Sequence, residues 1–212
     1  MPLTASAKSG STSTPAPAGT HIARCVQVID LGTQVDDGQF GRKIQPKLRL
    51  TWELPNELHV FKEENGEEPF VVGKEYTLNL GDKSNLRKDL ESWRGRPFTA
   101  EELEGFDVSK LLGAACMLNI IHKNKKDGSG VFANIAGISP MMKGVKCPPA
   151  ILALLCYDVT MGKNDVYAKI PEWLRKKIDQ CENWKQQAQH DPEPDMDHSG
   201  EGTELEDSDQ PF

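Results

Sequence analysis

Cysteine is scarce in this sequence, odd in number and widely spaced. Cys25, Cys116, Cys147, Cys156 and Cys181 form no Cys-x-x-Cys pair. Neither a disulfide framework nor a zinc site is therefore expected, and Cys25 and Cys116, set in apolar runs, read as small core residues. No apolar run reaches transmembrane length, and Met1 to Gly19 lacks the apolar segment of a signal peptide. A reducing cytoplasm is the expected compartment. The phosphate-cradling patterns Gly-x-x-x-x-Gly-Lys-Ser/Thr and Gly-x-Gly-x-x-Gly are missing. His21, His59, His122, His190 and His198 show no Asp-x-His or His-x-x-x-His spacing, and the carboxylate pairs Glu63-Glu64 and Glu67-Glu68 flank a turn. The expectation is a protein that is not an enzyme and uses no cofactor or metal.

Basic residues are missing from one long stretch. Ala188 to Phe212 carries nine acidic residues and no Lys or Arg. Such a segment cannot bury enough apolar surface to offset its ordering entropy, so residues 188–212 are expected to be a disordered acidic tail. The remaining 23 of the 32 acidic residues face 25 basic ones. The body is thus near-neutral, and the net charge of −7 belongs to the tail. Charge distribution, not overall pI, bears on nucleic-acid binding. The tail ends with Asp207, Asp209, Pro211 and Phe212. This is an apolar anchor among negative charges, suited to a partner pocket ringed by Lys and Arg; a merely solubilising tail is the plainer alternative.

Between these ends the chain reads as β-rich. Residues 1–19, rich in Ser, Thr, Ala, Pro and Gly, are expected to be disordered. Thr20–Leu31 is a strand, and Gly32–Gly41 a loop. Lys43–Leu54 alternates, with Leu48, Leu50, Trp52 and Leu54 on one side and Lys47, Arg49, Thr51 and Glu53 on the other. Pro46 implies an edge or a bulge. A hairpin excursion with an Asn65-Gly66 turn follows, then a strand at Lys74–Leu80 with Tyr76, Leu78 and Leu80 inward. Asp82 or Ser84 caps a helix to about Trp93, and Thr99 with Glu102 is a capping box. Strands at Leu112–His122 and Val131–Ile138 flank a basic turn. Five strands with a helix between the third and fourth is the layout of an OB-fold, a Greek-key barrel, over residues 20–145; a mixed α+β sheet would read identically. Residues 146–187 form an extension whose helix opens at Pro171, with Trp173, Leu174, Ile178, Cys181 and Trp184 as an apolar stripe. That helix either docks on the barrel or makes a homodimer or partner contact.

Single-strand binders need cations that follow phosphates and flat rings on which bases stack. An OB-fold offers its second and third strands and the loops joining strands one to two and four to five. Those regions carry Phe40, Arg42 and Lys43 in the first loop, Lys47 and Arg49 on the second strand, Lys123, Lys125 and Lys126 in the last turn, and Phe132 on the fifth strand. Trp52 falls on the apolar side, where it is core unless a bulge at Pro46 turns it outward.

Two resemblances sharpen this reading. Leu205-Glu206-Asp207-Ser208-Asp209-Gln210-Pro211-Phe212 resembles the tip of bacterial single-stranded DNA-binding proteins, departing from it at Ser208 and Gln210. Gly73 to Leu80, Ser84 to Leu90, Phe132-Ala133-Asn134-Ile135 and Ile170 to Leu174 resemble a group of bacteriophage single-stranded DNA-binding proteins. The resemblance implies sequence-tolerant binding of single-stranded DNA by an OB-fold during phage replication or recombination, in the cytoplasm of an infected bacterium. It also implies that the tail recruits replication or recombination enzymes. An OB-fold accessory factor that never touches DNA and a strand-annealing protein are the alternatives.

Overall fold

The computed structural model describes residues 14–38 and 41–185. Its framework is two 20-residue strands, β1 (Gly19–Gly38) and β2 (Gly41–Val60), paired antiparallel. β3 (Glu67–Thr77) pairs with β2, β4 (Ala115–Asn124) with the first part of β1, and β5 (Val131–Ser139) with β4. The order is β3-β2-β1-β4-β5, and all of these pairings are antiparallel. β3 and β5, at the two ends, come together, yet no backbone ladder joins them among the described residues. The sheet is curled and left open along that seam.

β2 supplies the centre of the core. Leu48, Leu50, Trp52 and Leu54 are fully buried against Ala23, Cys25, Val28, Cys116, Leu118 and Ile120. Each side chain of this size removed from water contributes about 1.5–3 kcal/mol. α1 (Asn85–Arg94) closes one end of this core with Leu86, Leu90 and Trp93. Ser84 caps it, accepting from the Arg87 N–H, and Gly95 ends it. The Trp93 indole N–H donates to the Ala115 carbonyl at 2.9 Å. α2 (Ala100–Glu104) starts with the expected Thr99/Glu102 capping box.

Two register shifts let β1 serve both sides of the fold. One, between Cys25 and Gln27, ends its pairing with β4. Beyond it β6 (Leu155–Tyr157) runs parallel to Gln27–Ile29. The other lies between Asp30 and Thr33, at Gly32, whose φ is 69°. A Cβ there would also meet the Cβ of Cys181 at 2.7 Å, so a side chain is barred both by conformation and by the packed extension. Pro46, which has no N–H to give, stands opposite Thr33 at this irregularity.

The C-terminal extension docks on the outer side of β1. Ile29 and Leu31 meet Tyr157, Val159, Tyr167 of α3 (Asp165–Ala168), Ile170, Leu174 and Ile178 of α4 (Glu172–Ile178), and Cys181 in a second core. Residues 147–152 are tied down by Arg24, which donates to the carbonyls of Cys147 and Pro148, and by the fully buried Glu53, which accepts from the N–H groups of Ile151 and Leu152. No helix among the described residues is long and apolar enough to cross a membrane.

Several expectations need correction. Residues 33–38 and 41–46 are a two-stranded ribbon, not a loop, because β1 and β2 stay paired to Gly38 and Gly41. The expected hairpin across Asn65-Gly66 is present, but it is no excursion: residues 58–60 and 67–72 continue β2 and β3, which pair as far as Val60 and Glu67. β3 ends at Thr77, so Leu78 is exposed rather than inward. Pro171 caps α4 instead of opening it, and Trp173 lies off its buried stripe, 54 % exposed. Part of segment 1–19 is built into the fold: Ala16 is buried, and its carbonyl accepts from His122 Nε2 at 2.9 Å. The acidic tail lies outside the described residues.

Candidate nucleic-acid interface

The open seam between β3 and β5 holds a furrow of about 320 Å³. Its floor is β3 at Val71 and Gly73, crossed by Arg49 from β2. One wall is the β4–β5 hairpin, with Lys125, Val131 and Phe132; at the other side stand Phe61 and Phe70, and Thr14–Ala16 run along the rim. Arg49 gets there because the period-2 strand that buries Leu48 and Leu50 turns residue 49 outward. The guanidinium then lies over Gly73, where a Cβ would come within 2.1 Å of Nη2. A glycine within a strand here marks close approach of another group.

The furrow is cationic and lined with rings. Burial pulls the Arg49 guanidinium below its ordinary value, and Glu75, with Oε1 3.7 Å from Nη1, pushes it back. Arginine stays charged under that pull. Phe132 is 41 % exposed and Phe61 42 %. Phe61 meets Phe70 edge-on at 5.1 Å, and the His59 ring stacks on Phe70 at 5.5 Å. Such a cluster fixes ring orientation and leaves apolar faces toward the furrow. A string of phosphates and flat bases fits these two kinds of contact.

A larger hollow of about 740 Å³ lies beside the far end of β3, lined by Lys47, Lys74, Lys83, Ser84 and Asn85. Its ring, Tyr76, is buried and donates to Asp89 at 2.8 Å, and Asp89 also neutralises Lys74 at 2.6 Å. Without an open aromatic face it offers bases nothing to stack on.

No family model, curated protein or solved structure matches the chain. The site therefore rests on its own geometry.

That geometry brings together three of the expected residues: Arg49, Lys125 and Phe132. Lys123 and Lys126 are exposed on the same hairpin but outside the furrow. Lys47 lies in the larger hollow, its ammonium bonded to Gln45 Oε1 and Thr77 Oγ1. Arg42 and Lys43 stand on the ribbon opposite Asp37 and Asp36, outside the furrow. Trp52 is withdrawn from the site: it is wholly buried, 5.7 Å from Trp93, with no ring face open to a base. The shift near Pro46 falls in β1 and leaves the parity of β2 intact. Phe40, Asp207, Asp209, Pro211 and Phe212 lie outside the described residues. Phe61 and Phe70 were missed. Their signal was the period-2 spacing of His59 and Phe61, at and just past the end of β2.

Proposed function

We propose that the curled sheet is an OB-fold and that the chain binds single-stranded DNA, without strong sequence preference, in the furrow between β3 and β5. The observation that carries this is the convergence of Arg49 and Lys125 with the exposed rings of Phe61 and Phe132 along one open seam. The OB-fold reading is supported by the strand order, by α1 between β3 and β4, and by the meeting of β3 with β5. Five-stranded barrels of this kind are partly open and bind oligonucleotides on the second and third strands and adjoining loops. On the sequence resemblance, the work is phage replication or recombination in an infected bacterial cell. Asp207, Asp209, Pro211 and Phe212 would recruit partner enzymes, and their like charge would compete with DNA for the furrow.

The test is fluorescence anisotropy of labelled oligo-dT against duplex DNA and RNA at two salt concentrations. Unpaired DNA binds, and Lys125→Ala lowers the logarithmic salt slope by about 0.7, one phosphate contact. Phe132→Ala weakens binding by about 1–3 kcal/mol with the slope unchanged. A wild-type protein that ignores unpaired oligonucleotides at moderate ionic strength would end this reading and favour a protein-interaction module.

A further inference from the structure

We propose that Trp173, on the C-terminal extension, is a base-stacking platform continuing the furrow, which makes the extension part of the nucleic-acid interface. The inference rests on the single-strand-binding reading above and adds to it a residue outside the sheet.

The helix does not need Trp173 for its own docking. Leu174 and Ile178, four residues apart, are buried and pack in the second core with Ile29 and Leu31. Trp173 precedes Leu174 by one residue, about 100° round the helix, and so leaves that stripe. An indole 54 % exposed leaves much apolar surface in water, which costs about 25 cal/mol for each Å² left uncovered.

Its surroundings suit a base. The Arg49 guanidinium carbon lies 4.7 Å from the ring centroid. This same guanidinium crosses Gly73 and lines the furrow. One cation thus joins the furrow to the indole, and a strand passing Arg49 with its phosphate engaged reaches the indole next. The carboxylate next to Trp173, Glu172, is held by Lys176 at 2.8 Å. The platform is also fixed in place. Lys177 pairs with Glu75 of β3, and Gln34 Nε2 donates to the Lys177 carbonyl at 3.1 Å. Two strands therefore set where α4 stands. A ring already held spends little further entropy on stacking.

The rival is that Trp173 only positions Arg49; Trp173→Ala would then cost nothing further in an Arg49→Ala background, whereas a stacking platform costs affinity there too. Trp52 and Trp93 are buried, and Trp184 is half-buried with its N–H on the Val159 carbonyl at 3.2 Å. Quenching of intrinsic fluorescence by unlabelled oligo-dT therefore reports Trp173. Quenching is expected in the wild type and lost in Trp173→Phe, which keeps an aromatic face and binds labelled oligo-dT within about twofold. Trp173→Ala loses affinity by about 5- to 150-fold, with thermal melting checking the fold. If Trp173→Ala does not fold, Trp173→Leu, apolar but without a flat ring, takes its place. Wild-type binding with unchanged affinity in the ring-less variant, or quenching that persists in Trp173→Phe, overturns the platform and leaves the furrow standing. No binding by the wild type overturns the furrow itself.

Discussion

The guanidinium of Arg49 lies against the backbone of Gly73, so closely that a methyl group on Gly73 would stand 2.1 Å from Nη2 and 2.6 Å from Cζ. The atoms it would strike belong to the free end of a flexible side chain, so the strand tolerates the substitution and Arg49 must move. Gly73→Ala is thus a way to displace one cation without deleting its charge. The expected outcome is weaker oligo-dT binding with melting temperature close to wild type. The salt slope should stay near wild type, because the charge remains close to the DNA. Arg49→Ala should instead lower that slope by about 0.7. Anisotropy titrations at several salt concentrations separate the two. Unchanged affinity in Gly73→Ala would mean that the position of Arg49 is irrelevant to the ligand.

How far the sequence disclosed this arrangement depends on the range of the interaction concerned. Alternation over Leu48 to Leu54 named one buried face of β2, the Thr99 capping box placed the start of α2, and of the two caps offered for α1, Asp82 and Ser84, the structure uses Ser84. These are local rules, read within a few residues. The ribbon of residues 33–38 and 41–46 was hidden because Gly and Asp mark a loop in isolation, whereas here cross-strand pairing carries them as strand. The furrow was half legible. Arg49, Lys125 and Phe132 were found by parity and by the position of a basic turn. Trp173 was absorbed into the stripe of its helix, since Leu174 next to it is buried, and the open side became apparent only once Arg49 stood over it. Contacts between residues 49, 73 and 173 are set by how the sheet curls and where α4 docks, which no window of sequence contains.

Glu53 supplies a stability prediction independent of DNA. It is a cross-strand partner of Arg24, and both reach into the same loop. Its oxygens accept from Ile151 at 3.0 Å and Leu152 at 2.8 Å. Glu53→Ala strips two N–H groups of their acceptor. A loss of about 1–3 kcal/mol in urea unfolding is expected. DNA affinity per folded molecule should be unchanged, because neither Glu53 nor residues 147–152 line the furrow, although Glu53 stands opposite Val71 of its floor. A loss below about 1 kcal/mol would mean that water replaces the carboxylate.

Alkaline pH should weaken the second core. Tyr157, 2 % exposed, donates its O–H to the Gly162 carbonyl at 3.0 Å. Burial above all, and then the proximity of Tyr167, push its phenol up to about 12. Tyr167 is likewise pushed up to about 12, by burial and by donating to Asp179 at 2.8 Å. Both folded-state values lie above the 10.0 of a free tyrosine. The folded state thus keeps protons that the unfolded state gives up, and stability falls as pH rises. The contribution is complete below about pH 10 and drains away between there and pH 12. Tyr157→Phe loses the hydrogen bond, about 1 kcal/mol at neutral pH, but it has no phenol to ionise at that position. Its stability should decline less steeply than wild type above pH 10, and the two curves should converge. Urea midpoints measured from neutral pH to about pH 11, followed by tryptophan emission, make the comparison. Parallel curves over that range would show that ionisation of Tyr157 is not coupled to the docking of the extension.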